Sequence, residues 1–374
     1  MQKTVLFLFG IIFFVSCGNK NSQQSTNQSI SQSAVEYAQG FAIHDFEKYK
    51  EVSVFNPWKK GEIYAKYFLV NDENTEVPVD GVKIKIPLQT IAVASVTHLE
   101  FLSLLGEIES ITGICTPKLV YNKAVQRNFS EGKITDLGDP FSINVEKTMV
   151  LRPNALLMSG FNQSDANAQR VQQAGIPVIY NNEWMETSLL GRAEWIKFVS
   201  AFYEKEEIGD SIFKEIVARY NEMKIKASNA DNRPRIMAGS NFRGTWYMPA
   251  GRSFMNELFQ DAGGQYFYQN DTTSGSLPLN VETVLKNFSN TDVWLNCNFS
   301  TIEDLVKSDS KHALFRPVKE NRVYNFNKRF LPTTANDYWE SAVARPDLLL
   351  GDVIAILHPE ILPEWEFVYA APLK

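Results

Sequence analysis

Aromatic and arginine side chains cluster in short segments that follow apolar runs of the sequence. Aromatic rings stack on flat ligands, and guanidinium groups pair with anionic oxygens through two parallel hydrogen bonds. Ligands of open α/β sheets bind beyond the carboxyl ends of the strands, which is where these segments are expected to lie. We therefore predict a site for a large, flat or anionic small molecule. The candidate contacts are His98, Trp184, Arg243, Trp246, Tyr247, Arg252, Arg329 and Tyr338.

The sequence contains no catalytic or metal-binding motif that these residues could serve. G-x-S-x-G, a Walker loop, H-E-x-x-H and paired C-x-x-C are all absent from it. The four histidines do not have the spacing of metal ligands. His98 or Tyr247 could ligate a haem iron, but a single histidine at a helix start is more often a cap or a core residue. The sequence therefore favours a binding protein over an enzyme and predicts neither a resident cofactor nor a metal site.

The composition indicates a globular protein that does not bind nucleic acid. Hydrophobic residues make up 44% of the chain, which is enough for extensive cores. The net charge is −6 and no basic run is present, which argues against DNA or RNA as a partner. Apart from Cys17, only Cys115 and Cys297 remain, and each ends an apolar run in a different half of the chain. We expect both thiols to be buried and unpaired.

Residues 1–17 have the features of a lipoprotein signal peptide. The apolar run VLFLFGIIFFV is too short to span a bilayer and leads to Val-Ser-Cys-Gly, which resembles a bacterial lipobox. Cys17 is therefore the expected site of lipidation, with an ordinary cleaved signal as the alternative. Residues 18–34 are rich in Asn, Gln and Ser and are predicted to form a flexible tether. We expect a protein anchored by lipid in the cell envelope, facing the periplasm or the exterior.

The segments that position the candidate residues alternate between strands and helices, which is typical of α/β lobes with parallel sheets. IAVAS, ITGI, ALLM and IPVIY are predicted strands of a first lobe, and RIMAGS, VWL and VYNFN of a second. Apolar residues three and four apart, beginning with Ile208 and Ile212, predict a long helix over 207–227. Alternation in VSVFNPW, EIYAKYFLV and VKIKIP predicts an antiparallel β extension before the first lobe.

The predicted fold is therefore α/β, with two Rossmann-like lobes joined by a single long helix. The first lobe, with its N-terminal β extension, is expected to span residues 35–200, the connecting helix 201–228 and the second lobe 229–374. A repeated pattern indicates that the lobes are alike: Asn144-Val145-Glu146 precedes the strand ALLM, and Asn280-Val281-Glu282 precedes VWL. Glu340 and Arg345, beside the last helices, are expected to be structural.

The order of these features resembles the class III solute-binding lipoproteins of ABC importers, over about residues 85–360. The resemblance rests on the lipobox, on IAVASVTHLEFLSLLGEIESITGI, on NVEKTMVLRPNALLM and on the long helix between lobes. Two segments differ from what the family usually has: SVTHL, before the first helix, is less standard at the position usually occupied by proline or serine, and the second lobe has NTD in place of the usual Pro-Asp. The resemblance implies a monomer that captures a metal chelate (an iron–siderophore, haem or cobalamin) and delivers it to an ABC importer permease. It also implies that Glu146 and Glu282 dock onto arginines of the permease.

Two alternatives to this function remain open at the level of sequence. One is a lipid-anchored enzyme of the same fold that acts on a tetrapyrrole or metal complex. The other is a scavenging lipoprotein without a permease, for which Glu146 and Glu282 would be dispensable.

Overall fold

The computed structural model describes residues 31–162 and 165–374 of the chain. The predicted signal peptide, with Cys17, lies outside the described residues, as does most of the predicted tether. The end of that segment has regular structure, because Ser31–Gln32 forms strand β1 and pairs with residues 44 and 45. The prediction of a tether up to residue 34 is therefore wrong for its last residues, whose backbone completes the edge of a sheet.

The N-terminal sheet precedes the first lobe. Its strands after β1 are β2 (Phe41–Asp45), β3 (Lys50–Phe55), β4 (Ile63–Val70) and β5 (Val82–Lys85). They lie in the order β1-β2-β3-β4-β5 and pair antiparallel, except that β5 is parallel to β4. The predicted β extension is confirmed, but the prediction that it is wholly antiparallel is wrong. The polar segment 71–81 carries the chain back beside the middle of β4, where Val82 pairs with Tyr67, instead of making a tight turn.

The first lobe is built on a parallel sheet. Its strands are β6 (Ile91–Val93), β7 (Ile111–Ile114), β8 (Thr135–Asp136), the small ribbon β9 (Gly138–Asp139) and β10 (Ser142–Ile143), β11 (Ala155–Met158) and β12 (Val178–Tyr180). Its helices are α1 (Leu99–Leu104), α2 (Lys123–Ser130), α3 (Val145–Leu151), α4 (Ala166–Gln173) and α5 (Leu189–Ala201), and α6 (Glu206–Ser228) follows. The sheet order is β12-β11-β6-β7-β8. The residues of β6, β11 and β12 are all buried, as expected for strands covered by helices on both faces.

The second lobe contains a similar sheet and a small additional one. Its strands are β13 (Arg235–Ala238), β14 (Asn241–Phe242), β15 (Thr245–Pro249), β16 (Gln265–Tyr266), β17 (Ser276–Leu279), β18 (Val293–Leu295), β19 (Val323–Asn325) and β20 (Ala371–Pro372). Its helices are α7 (Phe254–Asp261), α8 (Val281–Phe288), α9 (Ile302–Ser308), α10 (Arg316–Lys319), α11 (Asp337–Glu340) and α12 (Pro346–Leu357). The main sheet has the order β16-β13-β18-β19-β20, and the additional sheet has the order β14-β15-β17.

The two main sheets share one topology. Four parallel strands of the first lobe lie in the order β7-β6-β11-β12, and four of the second in the order β16-β13-β18-β19. In both sheets the first strand in sequence (β6 or β13) has the second strand (β7 or β16) on one side. The third and fourth strands follow on the other side of the first strand. Helix α3 precedes β11 and α8 precedes β18, so the two helices are equivalent. The repeat that the Asn-Val-Glu triplets predict is therefore present in the fold.

Helix α6 connects the lobes, as predicted, and packs against both α5 and α12. Phe213 belongs to the core of the first lobe, whereas Ile216 and Tyr220 belong to the core of the second. Ile208, predicted on the buried face, is 48% exposed, because Gly209 makes the close approach to Ser200 of α5 instead. Although α6 is 23 residues long, no helix of residues 31–162 or 165–374 combines the length and apolar character needed to cross a membrane.

Cys115 and Cys297 are buried and unpaired, as predicted. Cys115 directly follows β7, and Cys297 lies two residues after β18. Burial raises the pKa of the Cys115 thiol to about 12 and that of Cys297 to about 11. Both groups are therefore protonated at neutral pH and pack as small apolar side chains.

Candidate ligand-binding site

A cavity of about 590 Å³, which we call the Trp184 cavity, lies between the lobes. Its walls are Trp58, residues 184–187, Ala238, Gly239, Tyr247, Pro249, residues 252–255, residues 274–276 and Asn296. Residues 184–187 come after β12 of the first lobe, Ala238 ends β13 of the second, and Asn296 directly follows β18. The cavity therefore lies beyond the carboxyl ends of strands from both sheets, where open α/β folds bind ligands.

A second cavity between the lobes, the Lys118 cavity, has a volume of about 810 Å³. Its walls are Thr116, Pro117, Lys118, Gln126, Phe129, Asp136, Gly138, Asp139 and residues 331–333. Both cavities are within the size range of small-molecule sites, roughly 300–1,000 Å³. Sequence reasoning predicted the strand ITGI but missed the cavity after it, because the following loop has no cluster of aromatic and arginine residues.

A row of aromatic side chains on the first lobe ends at Trp184. Phe141 and Phe161 line a smaller cavity of about 190 Å³, with their ring centroids 4.6 Å apart. The centroids of Phe161 and Trp184 are 5.9 Å apart. Trp184 lies in a 3₁₀ turn, Glu183–Met185, and is 36% exposed. Trp184 thus lies in the cleft, as predicted, and the row offers rings on which a flat ligand can stack.

Residues 241–252, predicted to be a loop, form the hairpin β14–β15 and the start of the following turn. Successive side chains of a strand point to opposite faces. Tyr247 is accordingly 52% exposed and lines the Trp184 cavity, whereas Trp246 is fully buried. The Trp246 indole Nε1 donates to the Ala238 carbonyl at 2.9 Å, and its ring centroid is 5.3 Å from that of Trp294. The prediction that Trp246 is an exposed ligand contact is therefore wrong.

The two arginines of this segment occupy different environments. Arg252 is exposed and lines the Trp184 cavity, as predicted. Arg243 lies in the two-residue turn of the hairpin at φ 52°, next to Gly244 at φ 90°. Positive φ at both central residues is characteristic of a type I′ turn. The Arg243 guanidinium lies 5.1 Å from the Phe242 ring centroid and lines neither interlobe cavity, contrary to its predicted role.

The Trp184 cavity contains an arginine that no carboxylate neutralises. Within residues 31–162 and 165–374, no salt bridge involves Arg252. The acidic residue of the cavity wall, Glu186, accepts hydrogen bonds from the backbone N–H groups of Gln39 and Gly40 and from the Trp195 indole at 3.0 Å. Burial raises the pKa of Glu186, which disfavours its negative charge. The arginine is therefore available to an anionic group of a ligand.

His98 is fully buried beneath the cleft. Its Nε2 lies 3.3 Å from the hydroxyl of Ser159. Burial lowers the pKa of His98 to about 3, so the ring is neutral at physiological pH. The prediction that His98 contacts the ligand is wrong, because its position after β6 directs the side chain into the core. In the part of the chain that the structure describes, no group of three or more His, Cys, Asp or Glu side chains is placed to hold a metal ion.

Arg329 and Tyr338 were predicted as ligand contacts but interact within the second lobe. The Arg329 guanidinium pairs with the Asp337 carboxylate at 2.9 Å. Tyr338 is buried and stacks on Phe326, with ring centroids 4.8 Å apart. Neither residue lines the Trp184 or the Lys118 cavity. Arg329 and Tyr338 therefore make contacts within the second lobe, a role that composition alone cannot distinguish from ligand binding.

Glu146 and Glu282 occupy equivalent positions in the first turns of α3 and α8, and both are exposed. The Asn144 side-chain oxygen caps α3 by accepting the backbone N–H of Lys147 at 2.9 Å. The Asn280 side-chain oxygen caps α8 by accepting the backbone N–H of Thr283 at 2.8 Å. The Lys311 ammonium lies 3.1 Å from the Glu282 carboxylate. The backbone N–H of Glu282 and this lysine lower the pKa of the carboxyl group. The Asn-Val-Glu triplets thus place one carboxylate at the same point of each lobe.

Known proteins share both the sequence pattern and the fold. The sequence model of the family described as periplasmic binding protein matches residues 91–329. A relative from Methanocaldococcus jannaschii, named as an uncharacterized lipoprotein, is 24% identical over 372 residues, covering 91% of this chain and 87% of that protein.

Two solved structures have a similar fold at low sequence identity. The triscatecholate siderophore binding protein FeuA from Bacillus subtilis, complexed with ferri-bacillibactin, has a TM-score of 0.56 at 15% identity, covering 78% of this chain and 100% of that one. Staphylococcus aureus IsdE complexed with haem has a TM-score of 0.51 at 18% identity, covering 71% of this chain and 98% of that one. Since the family match includes the connecting helix and parts of both lobes, the chain belongs to the periplasmic binding protein family and is a binding protein rather than an enzyme.

Proposed function

We propose that this protein captures a metal chelate with a planar or anionic face in the Trp184 cavity and delivers it to an ABC importer permease. The observation that supports this most directly is the convergence of Trp184 from the first lobe with Tyr247 and Arg252 from the second. The aromatic rings can stack on a planar group, and the unpaired guanidinium can bind a carboxylate or another anionic oxygen. The candidate chelates are an iron–siderophore, haem and cobalamin. FeuA and IsdE, which have a similar fold, hold ferri-bacillibactin and haem.

The charge of the two interlobe cavities favours the Trp184 cavity for an anionic ligand. The Lys118 cavity has one ammonium group but two carboxylates, Asp136 and Asp139, in its walls. Each of these carboxylates accepts one backbone N–H at 2.8 Å, from Gly138 and Phe141 respectively. An anionic chelate is therefore repelled there and attracted by Arg252 in the Trp184 cavity.

Glu146 and Glu282 are the residues proposed to dock onto the permease. Glu146 has no salt-bridge partner among the described residues, and it shares a helix face with the exposed Met149 and Val150. The carboxylate on this exposed helix face is therefore available to a basic group of a partner. Both members of the Glu282–Lys311 ion pair are exposed, so the pair contributes little to stability. A permease arginine can therefore take the place of Lys311 beside Glu282.

Lipid anchoring through Cys17, in the cell envelope and facing the periplasm or the exterior, is part of the same proposal. The name of the Methanocaldococcus jannaschii relative as a lipoprotein supports it. We propose that the anchored protein acts as a monomer. A scavenging role without a permease is the alternative, and variants of Glu146 and Glu282 distinguish the two.

Identification of the ligand tests this function. Native mass spectrometry of the protein as purified can detect a bound small molecule, and calorimetric titration with haemin, a ferric tris-catecholate and cyanocobalamin measures affinity. We expect one of these chelates to bind and to be recovered chemically unchanged. If no small molecule co-purifies and none of the three binds, the proposed function is wrong.

A further inference from the structure

We propose that Trp58 is a ligand-contacting residue and that the N-terminal sheet forms a wall of the Trp184 cavity, selecting solutes with a planar aromatic face. This inference rests on the proposed function of that cavity. The family match begins at residue 91, so Trp58 belongs to a part of the chain that precedes the matched region.

Trp58 lies in the loop between β3 and β4, and this loop reaches the cavity. Trp58 and Trp184 line the cavity from the side of the N-terminal sheet and the first lobe. Tyr247 and Ser276 line it from the second lobe, on strands β15 and β17 of the small additional sheet. Two β elements outside the main parallel sheets therefore contribute walls to one ligand cavity.

The loop that contains Trp58 is held by its own hydrogen bonds. The Asn56 side-chain oxygen accepts the backbone N–H of Trp58 at 3.0 Å and that of Lys59 at 3.1 Å. The Asn56 N–H donates to the carbonyl of Glu62 at 2.9 Å, which closes the loop. Asparagine turns of this kind fix the backbone locally. The backbone that carries Trp58 is therefore ordered before a ligand arrives, and binding has less backbone entropy to lose.

Tyr64 fixes the N-terminal sheet to the strand ends that frame the cavity. Its ring centroid is 5.5 Å from that of Trp58 and 4.9 Å from that of Tyr180, the last residue of β12. Its hydroxyl donates to the Asn162 carbonyl, after β11, at 2.9 Å. A Cβ atom at Gly160 would lie 2.7 Å from this hydroxyl, so glycine is needed for the close approach. The position of Trp58 at the cavity is therefore set by packing on the first lobe.

The half-buried Trp58 ring presents an aromatic surface in addition to those of Trp184 and Tyr247. Rings in several walls favour a ligand whose own surface is aromatic, because offset or edge-on ring contacts add to the burial of apolar area. The ligand class is therefore a catecholate chelate or a tetrapyrrole. An aliphatic carboxylate chelate such as ferric citrate could use Arg252 but would gain little from these rings.

The experiment is calorimetric titration of the full-length protein with haemin, a ferric tris-catecholate and ferric citrate. We expect wild-type protein to bind haemin or the tris-catecholate, and Trp58→Ala to weaken that binding about three- to tenfold. Trp58→Phe, which keeps a ring, should retain most of the affinity, whereas Trp58→Leu, which keeps an apolar side chain without a ring, should lose it. Phe55→Ala is the matched control, because Phe55 is an exposed aromatic residue of the same hairpin that does not line the cavity.

The outcomes separate this inference from the proposed function. If wild-type protein binds haemin or the tris-catecholate and Trp58→Ala and Trp58→Leu bind it equally well, Trp58 is not a contact and only the inference fails. If all Trp58 variants lose affinity for ferric citrate, haemin and the tris-catecholate alike, and their melting temperatures also fall, the role of Trp58 is structural and the inference is again overturned. If wild-type protein binds neither haemin nor the tris-catecholate, the inference is overturned. If it also fails to bind cyanocobalamin and no small molecule co-purifies, the proposed function fails as well.

Discussion

The carboxylate of Glu340, in α11 of the second lobe, accepts a hydrogen bond from the backbone N–H of Tyr121 in the first lobe at 2.6 Å. It also accepts the N–H of Asn122 at 2.9 Å. Asn122 caps α2 through its own side chain, which accepts the N–H of Ala124 at 2.9 Å. Glu340 therefore fixes the start of α2, a helix beside the Lys118 cavity, to the opposite lobe. This agrees with the structural role that its position in the sequence predicts.

This interlobe contact predicts a pH-dependent stability. Burial raises the pKa of Glu340 to about 8, above its ordinary value of 4.5, so the folded protein binds this proton more tightly than the unfolded chain. The resulting stabilisation is complete below about pH 4.5 and is lost as the pH rises through about 8. We expect Glu340→Gln to flatten the decrease in melting temperature between these values. Exposed Glu364→Gln is the control, and an unchanged slope in Glu340→Gln would show that Glu340 does not titrate in this range.

Arg252 and Arg243 form a matched pair for testing the ligand site, because both are exposed but only Arg252 lines the Trp184 cavity. We expect Arg252→Ala to weaken binding of an anionic chelate by about 1.5–3 kcal/mol, the usual contribution of a hydrogen bond to a charged group. Arg243→Ala should leave the affinity unchanged. Calorimetric titration with the chelate that wild-type protein binds measures both, and equal losses in the two variants would contradict the assignment.

Substitutions of the neighbouring residues Trp246 and Tyr247 should have different effects, one on the free energy of unfolding and the other on chelate affinity. Trp246→Ala removes a fully buried ring and is expected to lower the free energy of unfolding by about 3–5 kcal/mol. Tyr247→Ala removes an exposed ring and should change stability little while reducing chelate affinity. Urea denaturation and titration of the two variants check this. A stable Trp246→Ala protein with reduced affinity would mean that the hairpin register is shifted by one residue.

The α/β repeat could be predicted from the sequence because its signals are local. Short apolar strands, helix caps and the two Asn-Val-Glu triplets lie within a few residues of one another, and together they indicate two similar lobes. The position of Trp184 and Arg252 in the cleft followed from one rule, that ligands bind beyond the carboxyl ends of parallel strands.

The predictions that failed depended on contacts between distant segments. Trp246 was misplaced because pairing of β15 with β17 turns an assumed loop into a strand. Arg329 was misplaced because Asp337 neutralises it, and composition does not reveal which charges are paired. Trp58 was missed altogether, since packing of Tyr64 on the ends of β11 and β12 brings its loop to the cavity.

Lipidation is tested at Cys17, which lies outside the described residues. Cys17→Ser should abolish labelling by a fatty-acid probe and release the protein from the membrane fraction, because a serine hydroxyl cannot replace the modified thiol. Cys115→Ser is the control, since Cys115 is buried in the first lobe and should not affect partitioning. Membrane partitioning of Cys17→Ser identical to that of the wild type would rule out anchoring at this residue.

Docking on a permease is tested by Glu146→Ala, Glu282→Ala and the double variant. Each carboxylate is expected to pair with a basic group at the interface, so its loss should cost about 1–3 kcal/mol of binding to the permease, and the double variant should lose more. Chelate affinity should not change, because neither glutamate lines an interlobe cavity. Glu303→Ala is the matched control, since Glu303 is also an exposed glutamate in the first turn of a helix of the second lobe. Wild-type permease affinity and salt dependence in the double variant would exclude docking through these residues and favour a scavenging protein, whereas a loss of chelate binding would mean that the glutamates act at the cleft.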